Sequence, residues 1–206
     1  MQEKSIKEPQ QLHFSANGTI THGADQAWYK DLWQIRAGCG PTACSHLIWY
    51  LAKTRNANKT LCTYEGNSKE SILSLMEDVW SYVTPRRMGV NSTTILSNGA
   101  LSYAKDRNNE LCARVLEVPL IKSSRPCFGE VSDFISTALD KDLPVAFLNL
   151  SNGSLKNLDR WHWVTIVGTE KGGVRMYDQC ESKLIDIRQW LDTTTFGGGL
   201  VYIEPK

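Results

Sequence analysis

Apolar and polar positions follow two different periods along this chain, and the change of period divides it. In the first half the apolar residues recur at three- and four-residue steps, the helical period. Leu47, Ile48, Tyr50 and Leu51 form one such stripe, and Pro41, whose fixed φ suits a first turn, predicts a helix from about Pro41 to Lys53. Asn67 and Glu70 make a capping-box pattern ahead of Ile72, Leu73, Leu75, Met76, Val79 and Trp80, which predicts a second helix. Asn91 or Ser92 can cap a third, through Ile95, Leu96, Leu101 and Ala104, with Gly99 weakening its middle. From Leu111 onward short β-branched and aromatic runs predict strands: Leu111 to Leu116, Val145 to Leu150, Trp161 to Gly168, Val174 to Asp178 and a closing Gly199 to Ile203. One helix, Val131 to Leu139, lies among them. Near the start, Leu12 to Ala16 and Thr19 to His22 flank Asn17-Gly18, a hairpin pattern.

These elements predict an α+β fold: a helical first half packed on a mostly antiparallel sheet. A chain of 206 residues suits one domain over 1–206, with a helical lobe at about 26–108, a strand-rich lobe at about 109–206 and a cleft between them. The polar segment Ser151 to Arg160 is expected to form a mobile lip beside His162. The helical apolar stripes themselves need no explanation beyond packing.

Chemistry enters at Trp33-Gln34-Ile35-Arg36-Ala37-Gly38-Cys39-Gly40-Pro41, where a cysteine stands between a Gly/Pro turn and an apolar helix. Unpaired N–H groups and the positive end of a helix dipole favour an anionic sulfur, and such settings bring a thiol pKa from about 8.5 to roughly 3.5–7.5. Cys39 is therefore a candidate nucleophile; the plainer reading is a small residue buried for packing. Downstream, Trp161-His162-Trp163-Val164-Thr165-Ile166-Val167-Gly168 reads as a strand in which His162, Val164 and Ile166 share one face. A histidine on an apolar face can be a core residue. Paired with a cysteine at a helix start, it is also a nucleophile-and-base arrangement.

Val174 to Asp178 returns after Thr169-Glu170-Lys171-Gly172-Gly173 as the second strand of a hairpin. With the turn centred near Glu170, Asp178 lies opposite His162 or one diagonal step away, about 5–8 Å between Cα atoms. From there it can accept the imidazole Nδ1–H, fix the tautomer and leave the other nitrogen for the thiol. A register shift of one residue would put it on the wrong face. The alternative is an ordinary strand-end aspartate.

In this order the residues resemble the papain-like cysteine peptidase superfamily, and most closely the bacterial branch of bacteriocin-leader-processing peptidases and their stand-alone relatives. The likeness rests on Cys39-Gly40-Pro41 opening a helix, on Pro144-Val145-Ala146-Phe147-Leu148 ahead of the His162 strand, and on Asp178 standing sixteen residues after His162. It runs from about residue 26 to the C-terminus. The resemblance implies a hydrolase with a papain-like fold in which Cys39 is nucleophile, His162 base and acid, and Asp178 the orienting residue. It also implies a glutamine upstream whose amide meets the oxyanion. Gln34 is the candidate, five residues before Cys39 where the superfamily usually has six. The backbone N–H of Cys39 is the other donor. The expected reaction is hydrolysis of a peptide or amide bond through a thioester, with a peptide or protein as substrate. Transfer of the acyl group to an amine or thiol at the same site, and a papain-like protein that only binds peptides, remain open alternatives.

Other residues are set aside on geometry and composition. His46, seven residues after Cys39, lies about 10 Å along the helix axis, too far to take the thiol proton. Cys44 is expected to point into packing, and His13 and His22 to face solvent or fill the hairpin. Trp33, Trp161 and Trp163 either shape a pocket or pack in the core. The formal charge of +1 is mixed in sign throughout, and Arg86-Arg87 alone is no basic patch, so nucleic acid is not an expected partner. Six cysteines without zinc-pair spacing and four histidines predict neither a disulfide framework nor a metal, and no cofactor is expected. Gly197 to Gly199 precede a strand and do not make a phosphate loop. The charged N-terminal stretch has no apolar core and no segment approaches about 18 apolar residues. A cytoplasmic protein without a membrane span is expected, or an exported one if a leader has been removed.

Overall fold

The computed structural model describes residues 2–206; Met1, the first position of the charged N-terminal stretch, lies outside them. The chain runs β1 (Lys4–Ser5), β2 (His13–Ala16), β3 (Thr19–His22), α1 (Leu32–Ala37), α2 (Cys39–Thr54), α3 (Lys69–Trp80), α4 (Thr93–Lys105), β4 (Leu111–Val118), α5 (Phe128–Asp140), β5 (Val145–Asn149), β6 (His162–Glu170), β7 (Gly173–Asp178), β8 (Glu181–Ile185), α6 (Ile187–Thr193) and β9 (Gly198–Pro205). The fold is α+β. Its antiparallel sheet has the strand order β4-β9-β5-β6-β7-β8, with β1 also paired on β6, while β2 and β3 form a separate hairpin.

Helices cover both faces of this sheet. On one face His46 of α2 reaches Thr165 of β6, and Thr93 of α4 reaches Glu117 of β4. On the other, the Trp190 ring of α6 stands edge-on to Phe147 of β5, and Phe134 of α5 packs on Tyr202 of β9. The central strands and the central helix are therefore buried on all sides and largely apolar, and the polar residues among them are hydrogen-bonded, as His46 is to Thr165. Every residue of β5 is buried, and α2 is buried from Gly40 to Ala52.

Local chemistry sets the helix ends. Ser68, one residue later than the expected Asn67, caps α3 by accepting the Ser71 N–H, and Ser92 caps α4 by accepting from Ile95. Gly99, which costs α4 helix propensity, is there for packing: a Cβ on it would lie 2.6 Å from the Tyr82 carbonyl oxygen and a Val83 methyl. The first long helix begins at Cys39 rather than Pro41, and the short α1 precedes it. Asp31 starts α1 by accepting the N–H groups of Trp33 and Gln34.

The β6–β7 hairpin turns at Lys171-Gly172, later than Glu170, with Gly172 at φ +98°. From the turn, Glu170 pairs with Gly173, Thr169 with Val174 and Gly168 with Arg175; Val167 is then left over, and Ile166 pairs with Met176 and Thr165 with Tyr177. Val167 is thus a one-residue bulge. Without it Asp178 would fall opposite Thr165, on the face away from His162. With it, the register carried one residue further sets Asp178 opposite Val164, one diagonal step from His162 and on the same face.

Candidate active site

Cys39 is the first residue of α2, partly exposed, and the glycines on either side bring it close to its surroundings. A Cβ on Gly38 would meet the Gln34 carbonyl oxygen at 2.5 Å and the Tyr29 ring at 2.6 Å; one on Gly40 would meet Val90 at 2.6 Å. The backbone N–H groups at this helix start have no acceptor within their own helix.

His162 opens β6 and Asp178 closes β7. The imidazole Nε2 donates to Asp178 Oδ1 at 2.7 Å, and both side chains are nearly enclosed. This corrects the expected use of the ring nitrogens: the carboxylate, reached along the diagonal, takes Nε2, so Nδ1 is the nitrogen left for the thiol. Behind the carboxylate stands a residue that sequence reasoning missed. Lys183 Nζ donates to Asp178 Oδ2 at 2.9 Å from β8, where it pairs with Met176 and so shares a face with Asp178.

Burial opposes charge on His162, but its hydrogen bond to Asp178 and the neighbouring Cys39 sulfur outweigh it and raise its pKa to about 10. Burial pushes Asp178 up, and His162 and Lys183 together hold it below the usual carboxylate range. The arrangement thus favours an imidazolium against an aspartate, with a sulfur on the imidazole's other side.

Cys39, His162 and Asp178 border one narrow cleft, together with Gln26, Thr42 and His46. Both nitrogens of His46 are committed: Nε2 accepts the Ala24 N–H at 2.8 Å, so Nδ1 carries the proton and donates to Thr165 Oγ1 at 2.8 Å. Burial lowers its pKa to about 4. His46 holds the segment at Ala24 in place. Cys44 is fully buried and burial pushes its thiol up. His13 and His22 bond to each other at 3.1 Å, and His13 also meets the Tyr177 hydroxyl at 2.9 Å.

Gln34 is not brought to the pair. Its amide donates to Glu77 Oε2 on α3 at 2.6 Å, and it does not border the cleft. The amide that does is Gln26, whose Nε2 donates to the Ile35 carbonyl at 2.7 Å and whose Oε1 is buried without a partner among the described residues. Five glutamines precede Cys39, and distance along the chain points to the nearest; α1 turns that one outward.

The tryptophans divide. Trp163 is core, its indole N–H donating to the Val90 carbonyl, whereas Trp33 and Trp161 are exposed beside Cys39. The expected mobile lip is tied down: Leu155 and Leu158 are buried, Asn157 donates to Leu184 O, and Gln179 holds Asp159 at 3.0 Å. Among the described residues no helix is long and apolar enough to cross a membrane.

No family model matches this chain, and no curated protein does. Among solved structures it is similar to a crystal structure from Bacillus anthracis, provisionally named a C39-like peptidase, with 10% identity, a TM-score of 0.48, and coverage of 100% of this chain and 99% of that one.

Proposed function

We propose that this protein is a papain-like cysteine peptidase or amidase that hydrolyses a peptide bond through a thioester. The observation that carries the reading is the shared cleft of Cys39, at a helix start, and a His162 held by Asp178 through Nε2. His162 Nδ1 first takes the Cys39 proton, giving a thiolate beside an imidazolium; the thiolate then attacks the carbonyl carbon, and the carbonyl electron pair moves onto oxygen. Collapse of that adduct expels the amine, which receives the proton from Nδ1. Water then adds to the thioester, gives its proton to Nδ1, and leaves as the new carboxylic acid while the thiol re-forms.

The oxyanion would be met by the Cys39 backbone N–H and a side-chain amide. Gln26 suits that role better than Gln34, because it borders the cleft and Gln34 is engaged by Glu77. Asp178 fixes the ring tautomer, and the residues themselves resemble those of the bacterial leader-peptidase branch.

Alkylation tests the reading. Cys39 is expected to react with iodoacetamide well below pH 7, and His162→Ala to abolish that reactivity. A thiol that titrates near pH 8.5 in both proteins would overturn it. Product analysis with an added amine separates hydrolysis from acyl transfer.

A further inference from the structure

Cys39 borders a second cavity, of about 290 Å³, between the end of α1 and the turn Arg86–Gly89. Its walls are Trp33, Met88 and Trp161, which are 45%, 55% and 40% exposed, large apolar surface left open beside the candidate nucleophile. The volume lies at the small end of ligand pockets, which begin at about 300 Å³, and suits one bulky side chain.

Two features show the cavity to be built. Trp161 sits at φ +60°, a left-handed conformation that is unfavourable for a bulky residue. Its indole N–H donates to the Met88 carbonyl at 3.0 Å, bridging the His162 strand to the Arg86–Gly89 turn. That turn is closed by paired bonds, Arg86 N–H to Gly89 O at 3.1 Å and Gly89 N–H to Arg86 O at 2.8 Å, with Gly89 at φ +69°. It holds Arg87 and Met88 outward.

The rim carries charge of one sign. Arg36 and Arg87 both line the cavity, no carboxylate lines it with them, and neither is ion-paired among the described residues. An aromatic wall beneath two uncompensated guanidinium groups complements an apolar side chain with a carboxylate next to it. We propose that this groove is a specificity subsite for acidic–aromatic peptide segments, seating the aromatic residue between Trp33 and Trp161 and the neighbouring carboxylate on Arg36 and Arg87. The proposal rests on the reading of Cys39 and His162 as the reacting pair, because it places the segment beside the scissile bond.

Binding tests it apart from catalysis. The full chain carrying Cys39→Ala is titrated with dye-labelled Gly-Glu-Trp-Gly-Gly, and with the analogues holding Lys for Glu or Gly for Trp, by fluorescence anisotropy at low salt. The Glu-Trp peptide is expected to bind about tenfold tighter than the Lys analogue, the scale two exposed charge pairs can supply, and to weaken as salt rises; it is also expected to bind tighter than the Gly analogue, which lacks the ring's apolar surface. Arg36→Glu with Arg87→Glu is expected to invert the preference toward Lys. A C-terminally amidated Glu-Trp peptide distinguishes the side-chain carboxylate from the chain terminus: equal binding assigns the side chain, and loss of binding overturns the proposal. Equal affinity for the Glu and Lys peptides, an order unchanged in the reversed protein, or no binding at millimolar peptide would also overturn it. The alkylation result is independent: failure there removes the catalytic reading, while failure here removes only the subsite.

Discussion

The Asp178 carboxylate accepts from two donors at once, and that makes its amide replacement informative. In Asp178→Asn one arm still accepts but the other is an NH2 donor. If the amide oxygen faces His162, its NH2 points at the Lys183 ammonium, donor against donor, across a contact that is now 2.9 Å. If it turns, the oxygen takes the charged and stronger donor, Lys183, and the NH2 donates to His162 Nε2. The imidazole proton is then forced onto Nδ1, where it blocks acceptance of the thiol proton. The second orientation wins, because a hydrogen bond to a charged group contributes about 1.5–3 kcal/mol against about 1 for a neutral one. The loss of the charge-assisted bond between Nε2 and Oδ1 therefore predicts a drop of roughly 10- to 150-fold in Cys39 alkylation near pH 6. Lys183→Met on the same background removes the competitor, lets the amide oxygen return to Nε2, and is expected to restore most of the rate. The measurement is the second-order rate of iodoacetamide labelling, read by mass spectrometry on the Cys39 peptide because Cys127 is exposed as well. If the double variant is no faster than Asp178→Asn alone, the competition between Lys183 and His162 for Asp178 is refuted.

Two further outcomes follow from the same geometry. Gln26→Ala is expected to lower p-nitrophenyl acetate hydrolysis by about 10²–10³, the usual effect of losing one oxyanion donor, while Gln34→Ala stays within a few-fold of the parent; the reverse order would return the role to Gln34. His46 is neutral in the fold, with its pKa lowered to about 4 by burial against about 6.5 in the unfolded chain, so the unfolded state binds the extra proton and stability falls as pH drops from 6.5 toward 4. Relative to His46→Gln, which can still accept from Ala24 and donate to Thr165, the parent is expected to lose about 2–3 kcal/mol between pH 6.5 and 4.5 in urea unfolding. Parallel pH profiles for the two proteins would refute a buried neutral His46.

What was legible in the sequence follows from how local each signal is. The α+β character, the chain positions of most of the strands and the placement of Cys39 at a helix start are carried by apolar period and by Gly and Pro. Lys183 was not legible, because Glu181-Ser182-Lys183-Leu184-Ile185 is a partly exposed edge strand with no clear alternation, and β8 had first to be found. The two faces of the sheet were hidden likewise, since α6 is only Ile187–Thr193 and too short to announce itself by period. Gly99 looked like a defect because the atoms that require it, on Tyr82 and Val83, are tertiary neighbours. The choice between Gln26 and Gln34 depended on α1, and the choice between ring nitrogens on a diagonal register. Neither is written in residue type.

The bulge at Val167 has an evolutionary consequence. Because it adds one position to β6 only, its effect depends on how many residues the strand holds and hardly at all on which one occupies that place, beyond its being apolar and buried. Drift by point mutation can therefore pass through this spot freely, whereas a single codon gained or lost between His162 and the hairpin tip would rotate the carboxylate out of reach of the imidazole. Descendants of this chain should vary among apolar residues at position 167 and keep the length of the strand.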